Sequence, residues 1–177
     1  DMDEYDLNYY TYGLRIYKNM PLIEPVETKE NLRIEELVIV VDTSYSTSGE
    51  LVKKFLRETF TILSETDSFF RKRKIHIIQC DELVHSDITV TGDTDIDILI
   101  NNFDLAGGGN TDFRPAFEYV NNLIDTGEIK KLQGLLYFTD GKGKYPKKKM
   151  PYNTAFVFID KLSETAVPAW AMKVSLE

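Results

Sequence analysis

The chain has 177 residues, of which 42% are hydrophobic and 28% are charged, and its formal net charge is −8 at pH 7. This length and apolar content suit a single domain with one sizeable core. The acidic balance argues against a nucleic-acid-binding surface, because such proteins present a basic face to the phosphates. No stretch approaches the roughly 18 consecutive apolar residues of a membrane span, and no basic-then-apolar leader is present. We therefore expect a cytoplasmic protein.

The first 30 residues differ in character from the rest of the chain. They are rich in tyrosine and acidic residues, and Pro21 and Pro25 disfavour a regular helix there. We interpret residues 1–30 as an N-terminal extension or the remnant of a preceding domain, and residues 31–177 as the main domain. Because the sequence starts at Asp1, we expect it to be an excised part of a longer protein.

An apolar run, Leu37–Val41, is the strongest strand signal in the chain. Five aliphatic residues that stop at polar turn residues predict a strand buried on both faces, with Asp42 at its carboxyl end. Thr47 and Glu50 have capping-box spacing, which predicts the start of a helix. The apolar positions of that helix recur at helical intervals; they are Leu51, Val52, Phe55, Ile62 and Leu63.

Further strands and helices alternate along the rest of the chain. The patterns predict strands over 74–81, 87–91, 134–139, 154–160 and 169–176, and helices over 93–103 and after the glycine-rich loop 107–115. This alternation predicts an α/β fold with a doubly wound, mostly parallel, Rossmann-type sheet and helices on both faces.

Oxygen-bearing side chains follow the ends of separate predicted elements. They are Asp42, Ser44 and Ser46 after the first strand, Thr111 in the glycine-rich loop, and Asp140 after a later strand. Loops at the carboxyl ends of parallel strands converge on one edge of the sheet. Hydroxyls and carboxylates suit Mg²⁺, whereas zinc is disfavoured because His76, His85 and Cys80 lack metal-site spacing. Taken alone, the segment 42–46 is more typical of a capped turn than of a metal site, because Ser, Thr and Asp are the usual helix N-caps.

The ordered set of motifs resembles a von Willebrand factor A domain with a metal-ion-dependent adhesion site. More closely, the segments 12–14, 20–25, 107–115 and 137–141 are similar to the C-terminal, VWA-like part of bacterial predicted metal-dependent peptidases. The resemblance implies that the serines and the threonine touch the cation, while the aspartates act through water. It implies Mg²⁺, with Mn²⁺ and Ca²⁺ as alternatives.

The same resemblance implies a partner and a biological context. An exchangeable position on the cation would attract an Asp or Glu carboxylate from a partner protein, and VWA-like proteins of this kind work with cytoplasmic AAA+ ATPases. The first hypothesis is therefore a divalent-metal-dependent protein-interaction module with no catalysis of its own. The His-Glu-x-x-His motif of the resembled peptidases does not occur in this chain.

Two other functions compete with this interpretation. The hydroxyl- and glycine-rich loop Ser44–Gly49 opens a helix, an arrangement that a flavodoxin-like phosphate or flavin binder uses, although Asp42 would place negative charge beside the phosphate. A hydrolytic Mg²⁺ centre is the third hypothesis, but the sequence offers no evident general base.

Several polar residues have simpler structural interpretations. We expect Asp81 to be a plain turn residue, His76 a structural one and Asp112 a helix N-cap. The basic clusters Arg71–Lys74 and Lys147–Lys149 are typical of solvated faces. Lys142 and Lys144 follow Asp140, where they would either steer an acidic partner or be ordinary loop lysines.

Overall fold

The computed structural model describes residues 35–44, 49–65, 73–158 and 167–175. The predicted extension over residues 1–30 lies outside these ranges. The strands are β1 (Glu35–Asp42), β2 (Arg73–Cys80), β3 (Val84–Val90), β4 (Leu132–Thr139), β5 (Asn153–Phe158) and β6 (Met172–Ser175). The helices are α1 (Gly49–Glu65), α2 (Ile96–Asn101) and α3 (Arg114–Asp125). Every element that the sequence predicts within these ranges is present, with shifted ends.

The strands form one six-stranded sheet in the order β3-β2-β1-β4-β5-β6. All neighbours are parallel except β2 and β3, which pair antiparallel as a hairpin at one edge. All eight residues of β1 are buried, as its unbroken apolar run predicts. The mostly parallel, doubly wound α/β fold is therefore confirmed.

Two apolar layers cover the two faces of the sheet. Alternate residues of β1 face opposite layers: Leu37, Ile39 and Val41 contact one, and Val38 and Val40 contact the other. Helices α1 and α2 cover the first face, whereas α3 covers the second. Cys80 is fully buried within the second layer.

Helix α1 packs through a narrower stripe than its sequence predicts. Val52, Phe55, Ile62 and Leu63 are buried, and the ring of Phe55 stacks on Phe138 of β4 at 4.3 Å. The fifth predicted core residue of this helix, Leu51, is 39% exposed. Leu51 lies in the first turn next to fully buried Val52, so its side chain is on the solvent side of the helix. The predicted cap Thr47 lies outside the described residues.

A hydrogen-bonded cluster attaches the antiparallel edge to α3. His76 Nδ1 of β2 lies 2.9 Å from Asp87 Oδ1 of β3, and the Tyr119 hydroxyl of α3 donates to Asp87 Oδ2 over 2.6 Å. His76 is buried at 2% exposure. Its contacts agree with the predicted structural role.

The basic segment before β2 is only partly a solvated face. Arg73 begins the strand and is buried, and its guanidinium forms an ion pair with the buried carboxylate of Glu35 in β1. The interpretation of a solvated face is therefore wrong at Arg73, because a parallel neighbour supplies a carboxylate that local sequence does not reveal. None of the helices in the described ranges has both the length and the apolar character that crossing a membrane requires.

Candidate functional site

The carboxyl end of β1 holds a buried carboxylate. Asp42 has no exposed surface and Ser44 is 3% exposed. The Ser44 backbone N–H donates to Asp42 Oδ1 over 2.8 Å, which fixes the turn that follows the strand. Ser46, the third residue of the predicted motif, lies outside the described residues.

The end of β4 lies beside Asp42 and supplies a second carboxylate. The Thr139 hydroxyl donates to Asp42 Oδ2 over 2.5 Å and accepts from the Gly141 backbone N–H over 3.1 Å. Asp140 follows directly, is half-buried, and accepts from the Lys142 backbone N–H through Oδ1 over 3.0 Å. Thr139 was not among the predicted site residues, yet its hydroxyl holds the two strand ends together.

The two carboxylates lie close enough to influence each other. Burial raises the pKa of Asp42 above its ordinary value and the Asp140 carboxylate raises it further, against hydrogen bonds from Thr139 and Ser44. Burial also raises the pKa of Tyr145, and both aspartates contribute to that rise. A buried acid next to a second acid is the electrostatic setting in which a bound cation would favour the ionised form.

The glycine-rich loop reaches the same edge of the sheet. The Gly108 backbone N–H donates to the Thr43 backbone O over 2.7 Å, next to Asp42. Gly107 has φ of +138°, and a Cβ there would lie only 2.5 Å from Thr43 Oγ1. The chain therefore requires glycine at this position both for its backbone conformation and for its close approach to β1.

Thr111 lies against the loop that follows Asp140. A Cβ on Gly143 would lie 2.7 Å from Thr111 Cγ2, so the two loops are in close contact. The Phe113 backbone N–H donates to the Lys144 backbone O over 3.0 Å, and Asp112 forms an isolated parallel bridge with Lys144. The structure thus brings together, at the carboxyl edge, the chain segments that carry Asp42, Ser44, Thr111 and Asp140.

Asp81 holds the glycine-rich loop in place, and the interpretation of a plain turn residue is incomplete. Its Oδ1 accepts from the Leu83 backbone N–H over 2.9 Å and lies 2.8 Å from His85 Nε2. Its Oδ2 accepts from the Gly109 backbone N–H over 3.1 Å. The one signal in the sequence was that Asp81, like Asp42 and Asp140, follows an apolar strand.

Asp112 belongs to the start of α3. It accepts from the Arg114 backbone N–H over 3.0 Å, and the Arg114 guanidinium binds both of its oxygens. The predicted capping role is close to this arrangement, although Phe113 is the residue that precedes the helix. Throughout the described ranges, no three or more His, Cys, Asp and Glu side chains cluster closely enough to hold a metal ion, so a site here would depend on hydroxyl ligands.

A comparison with models of protein families identifies the family of this chain. Residues 37–177 match the model of the VWA-like domain family (DUF2201). The chain belongs to this family. The match begins within β1 and runs through every later element of the VWA-like domain.

Solved structures share the fold of this VWA-like domain at low sequence identity. The crystal structure of the SpRpn10 VWA domain is 16% identical, with a TM-score of 0.55 over 81% of this chain and 88% of that one. An aerotolerance-related membrane protein from Bacteroides fragilis NCTC 9343 is 10% identical, with a TM-score of 0.51 over 81% of this chain and 92% of that one. A comparison with curated protein sequences finds no match.

The metal ligands of the VWA-like domain stay a prediction. The structure describes four of the five predicted residues on neighbouring loops, and the fifth, Ser46, is outside the described ranges. The alternative phosphate loop, Ser44–Gly49, also stays untested because its residues 45–48 lie outside those ranges.

Proposed function

We propose that this VWA-like domain is a protein-interaction module that depends on a divalent cation. The proposed ligands are Asp42, Ser44, Ser46, Thr111 and Asp140, and the proposed cation is Mg²⁺, with Mn²⁺ or Ca²⁺ as alternatives. A partner protein would supply an Asp or Glu carboxylate to the cation. The module itself would carry out no catalysis.

The observation that carries this proposal is the pairing of a fully buried Asp42 with a neighbouring Asp140. Both oxygens of Asp42 are held by donors, Ser44 N and Thr139 Oγ1, so the carboxylate is kept in one orientation. Two ionised carboxylates held near one another repel, and either protonation of one acid or a cation between them relieves this repulsion. A divalent cation at the edge would remove this repulsion and would stabilise the loops that carry the two aspartates.

The chemistry of the donor set fits a hard cation. Mg²⁺ prefers oxygen ligands and keeps several waters, and it needs ligands held on rigid segments. Ser44 is buried and its backbone N–H bonds Asp42, and Thr111 packs beside Gly143 in the loop after Asp140. Neutral hydroxyl ligands leave much of the charge of the cation uncompensated, which favours an incoming carboxylate.

The wider context of the module rests on the resemblance to predicted peptidases rather than on geometry. In this proposal the domain forms part of a larger predicted peptidase, or of a protein that works with an AAA+ ATPase in the cytoplasm. The fold alone does not imply these functions, so this part of the proposal is an analogy.

Calorimetric titration with Mg²⁺ tests the cation site. We expect the unchanged chain to bind Mg²⁺ and the variant Asp140→Asn to bind it at least about tenfold more weakly, since loss of a carboxylate near the ion typically costs that much. Asp112→Asn is the matched control, because Asp112 is an acid at the same edge that is paired with Arg114 and is not a proposed ligand. It should bind Mg²⁺ as the unchanged chain does.

Two results would overturn the cation proposal. One is a titration of the unchanged chain with Mg²⁺, Mn²⁺ and Ca²⁺ that shows neither binding heat nor a rise in melting temperature. The other is an equal loss of affinity in Asp140→Asn and Asp112→Asn, which would indicate nonspecific attraction of cations to an acidic surface.

A further inference from the structure

The segment after Asp140 concentrates positive charge in an acidic protein. Residues 141–151, which we name the basic loop, contain five lysines and no acidic residue, whereas the whole chain carries a net charge of −8. The lysines are Lys142, Lys144, Lys147, Lys148 and Lys149. A segment with this composition attracts an acidic ligand along its whole length.

The basic loop follows a defined path along the second face of the sheet. It leaves the carboxyl end of β4 and must return to the amino end of β5, because the two strands are parallel. It contacts the start of α3 through the Phe113 to Lys144 hydrogen bond, and it reaches the end of α3 at Ile124 and Asp125. A row of positive charge therefore runs from the proposed cation site down the length of α3.

The backbone of the basic loop is anchored while its lysines face solvent. Tyr145 packs on Phe113 and Phe156 with ring centroids 4.6 and 4.9 Å apart, and its hydroxyl donates to the Gly141 backbone O. Farther along, Met150 Sδ accepts from the Asn121 amide. All five lysines are exposed, and none forms a close ion pair within the portion of the chain that the structure describes, although Lys144 lies near enough to Asp112 to help lower the pKa of that carboxyl. The charges are thus available and held on a fixed path.

A groove lies at the far end of the basic loop. Its volume is about 310 Å³. Ile124, Met150 and Pro151 give it an apolar side, and two lysines outnumber the one acid among its polar lining residues, which are Lys148, Lys149, Asn121 and Asp125. This combination suits an apolar side chain that is flanked by acidic residues.

We propose that the basic loop and its groove bind an extended acidic segment of a protein partner. One carboxylate of the segment would reach the cation edge beside Asp140, and an apolar side chain would enter the groove at Ile124. Helix α3 has 12 residues and so is about 18 Å long, which an extended chain covers with about six residues. The placement of the carboxylate rests on the proposed function, whereas the attraction to the lysines does not.

A protein ligand fits this surface better than a nucleic acid. Sequence-tolerant nucleic-acid sites combine basic residues with exposed aromatic rings on which bases stack. The aromatic residue of the basic loop, Tyr145, is packed between two other rings, and the loop contains no arginine. The strongly acidic remainder of the chain would also repel a long polyanion.

Fluorescence anisotropy with a synthetic peptide tests the surface. The probe is a labelled, glutamate-rich peptide of about eight residues with a leucine near each end, which is long enough to cover the basic loop. We expect it to bind the unchanged chain at low salt and more weakly at high salt. A peptide with alanine in place of leucine should bind about fivefold more weakly, because the groove then loses its apolar contact.

Variants of the basic loop give the decisive comparison. The triple variant Lys147→Gln, Lys148→Gln, Lys149→Gln should lose about tenfold in peptide affinity, and the double variant Lys142→Gln, Lys144→Gln about fivefold, since each exposed charge contributes modestly. The matched control Lys54→Gln, Lys173→Gln removes exposed lysines from α1 and β6. Its affinity should stay within about twofold of the unchanged chain.

The outcomes of these experiments test this inference and separate it from the proposed cation site. Equal peptide affinity in the loop variants and the control would overturn the inference, and so would tighter, loop-dependent binding of an oligothymidylate of matched charge. Mg²⁺ titration of the loop variants should match the unchanged chain, because the lysines are not ligands. If the unchanged chain shows no cation binding but the peptide still requires the lysines, the cation proposal fails and the docking surface stands.

Discussion

The hydroxyl of a single residue, Thr139, connects the ends of two neighbouring strands. It occupies the last position of β4, is fully buried, and connects the Asp42 carboxylate with the Gly141 backbone N–H. The bond to Asp42 joins residues 97 positions apart in the sequence. A hydrogen bond to a buried carboxylate contributes more than an ordinary one, because the charge has no water to replace the lost donor.

We expect Thr139→Val to lower the free energy of unfolding by about 1.5–3 kcal/mol, since valine fits the strand but leaves Asp42 without one donor. Urea denaturation measures this loss. The control is Thr154→Val in neighbouring β5, a threonine that is equally buried but bonds the Tyr152 backbone O over a long 3.4 Å. Its cost should be about 1 kcal/mol or less, and equal losses in both variants would contradict the role of Thr139.

The glycine-rich loop is the element that brings α3 to the edge of the sheet. Asp81 Oδ2 accepts from Gly109, the Thr43 backbone O accepts from Gly108, and the Asp81 backbone O accepts from Asp112. These bonds attach the loop to the ends of β1 and β2 before α3 begins. The loop therefore sets the position of Thr111 relative to both aspartates of the proposed site.

Alanine substitution distinguishes crowding from backbone strain in this loop. Gly107 and Gly108 both have positive φ, so either change should cost about 1–2 kcal/mol in strain. A Cβ at Gly107 would also meet Thr43 Oγ1, whereas one at Gly108 would meet no atom within 4 Å. We expect Gly107→Ala to be less stable than Gly108→Ala by a further ~1–3 kcal/mol in thermal or urea unfolding. Equal stabilities would show that the loop moves away from β1 without cost.

At the scale of the whole molecule, Asp87 connects the antiparallel edge with the second helical layer. Burial raises the pKa of Asp87, but hydrogen bonds from His76 and Tyr119 outweigh burial and hold this pKa below its ordinary value. The folded protein therefore binds this proton less readily than the unfolded chain does. Asp87 contributes stability above the unfolded pKa near ~3.9, and this contribution is lost as the pH falls through the lower folded pKa.

The pH dependence of stability tests this cluster. We expect the difference in free energy of unfolding between the unchanged chain and Asp87→Asn to shrink as the pH falls from about 7 to about 3, because only the unchanged chain must protonate Asp87. Tyr119→Phe, which removes one donor, should have an intermediate dependence. Urea denaturation across this range supplies the values, and parallel curves for all three proteins would refute the assignment.

The sequence by itself determined the elements and the order of the proposed ligands. An apolar run without alternation predicts a strand buried on both faces, and β1 is such a strand. The recurrence of Phe113, Phe117 and Val120 at helical spacing predicts α3. The positions of Asp42 and Asp140 after two apolar runs predict two carboxylates at one edge. Each of these features follows from the local pattern of apolar and polar residues, which can be read from the sequence alone.

Only the tertiary structure decided which of these residues meet. The ion pair of Arg73 with Glu35 and the hydrogen bond of Thr139 to Asp42 both join segments that are distant in the sequence. The close contact of Thr111 with Gly143 is of the same kind. A local pattern reports which face of an element is apolar but not which partner covers it. Strand order and loop packing, set by burial of the entire core, supply that information.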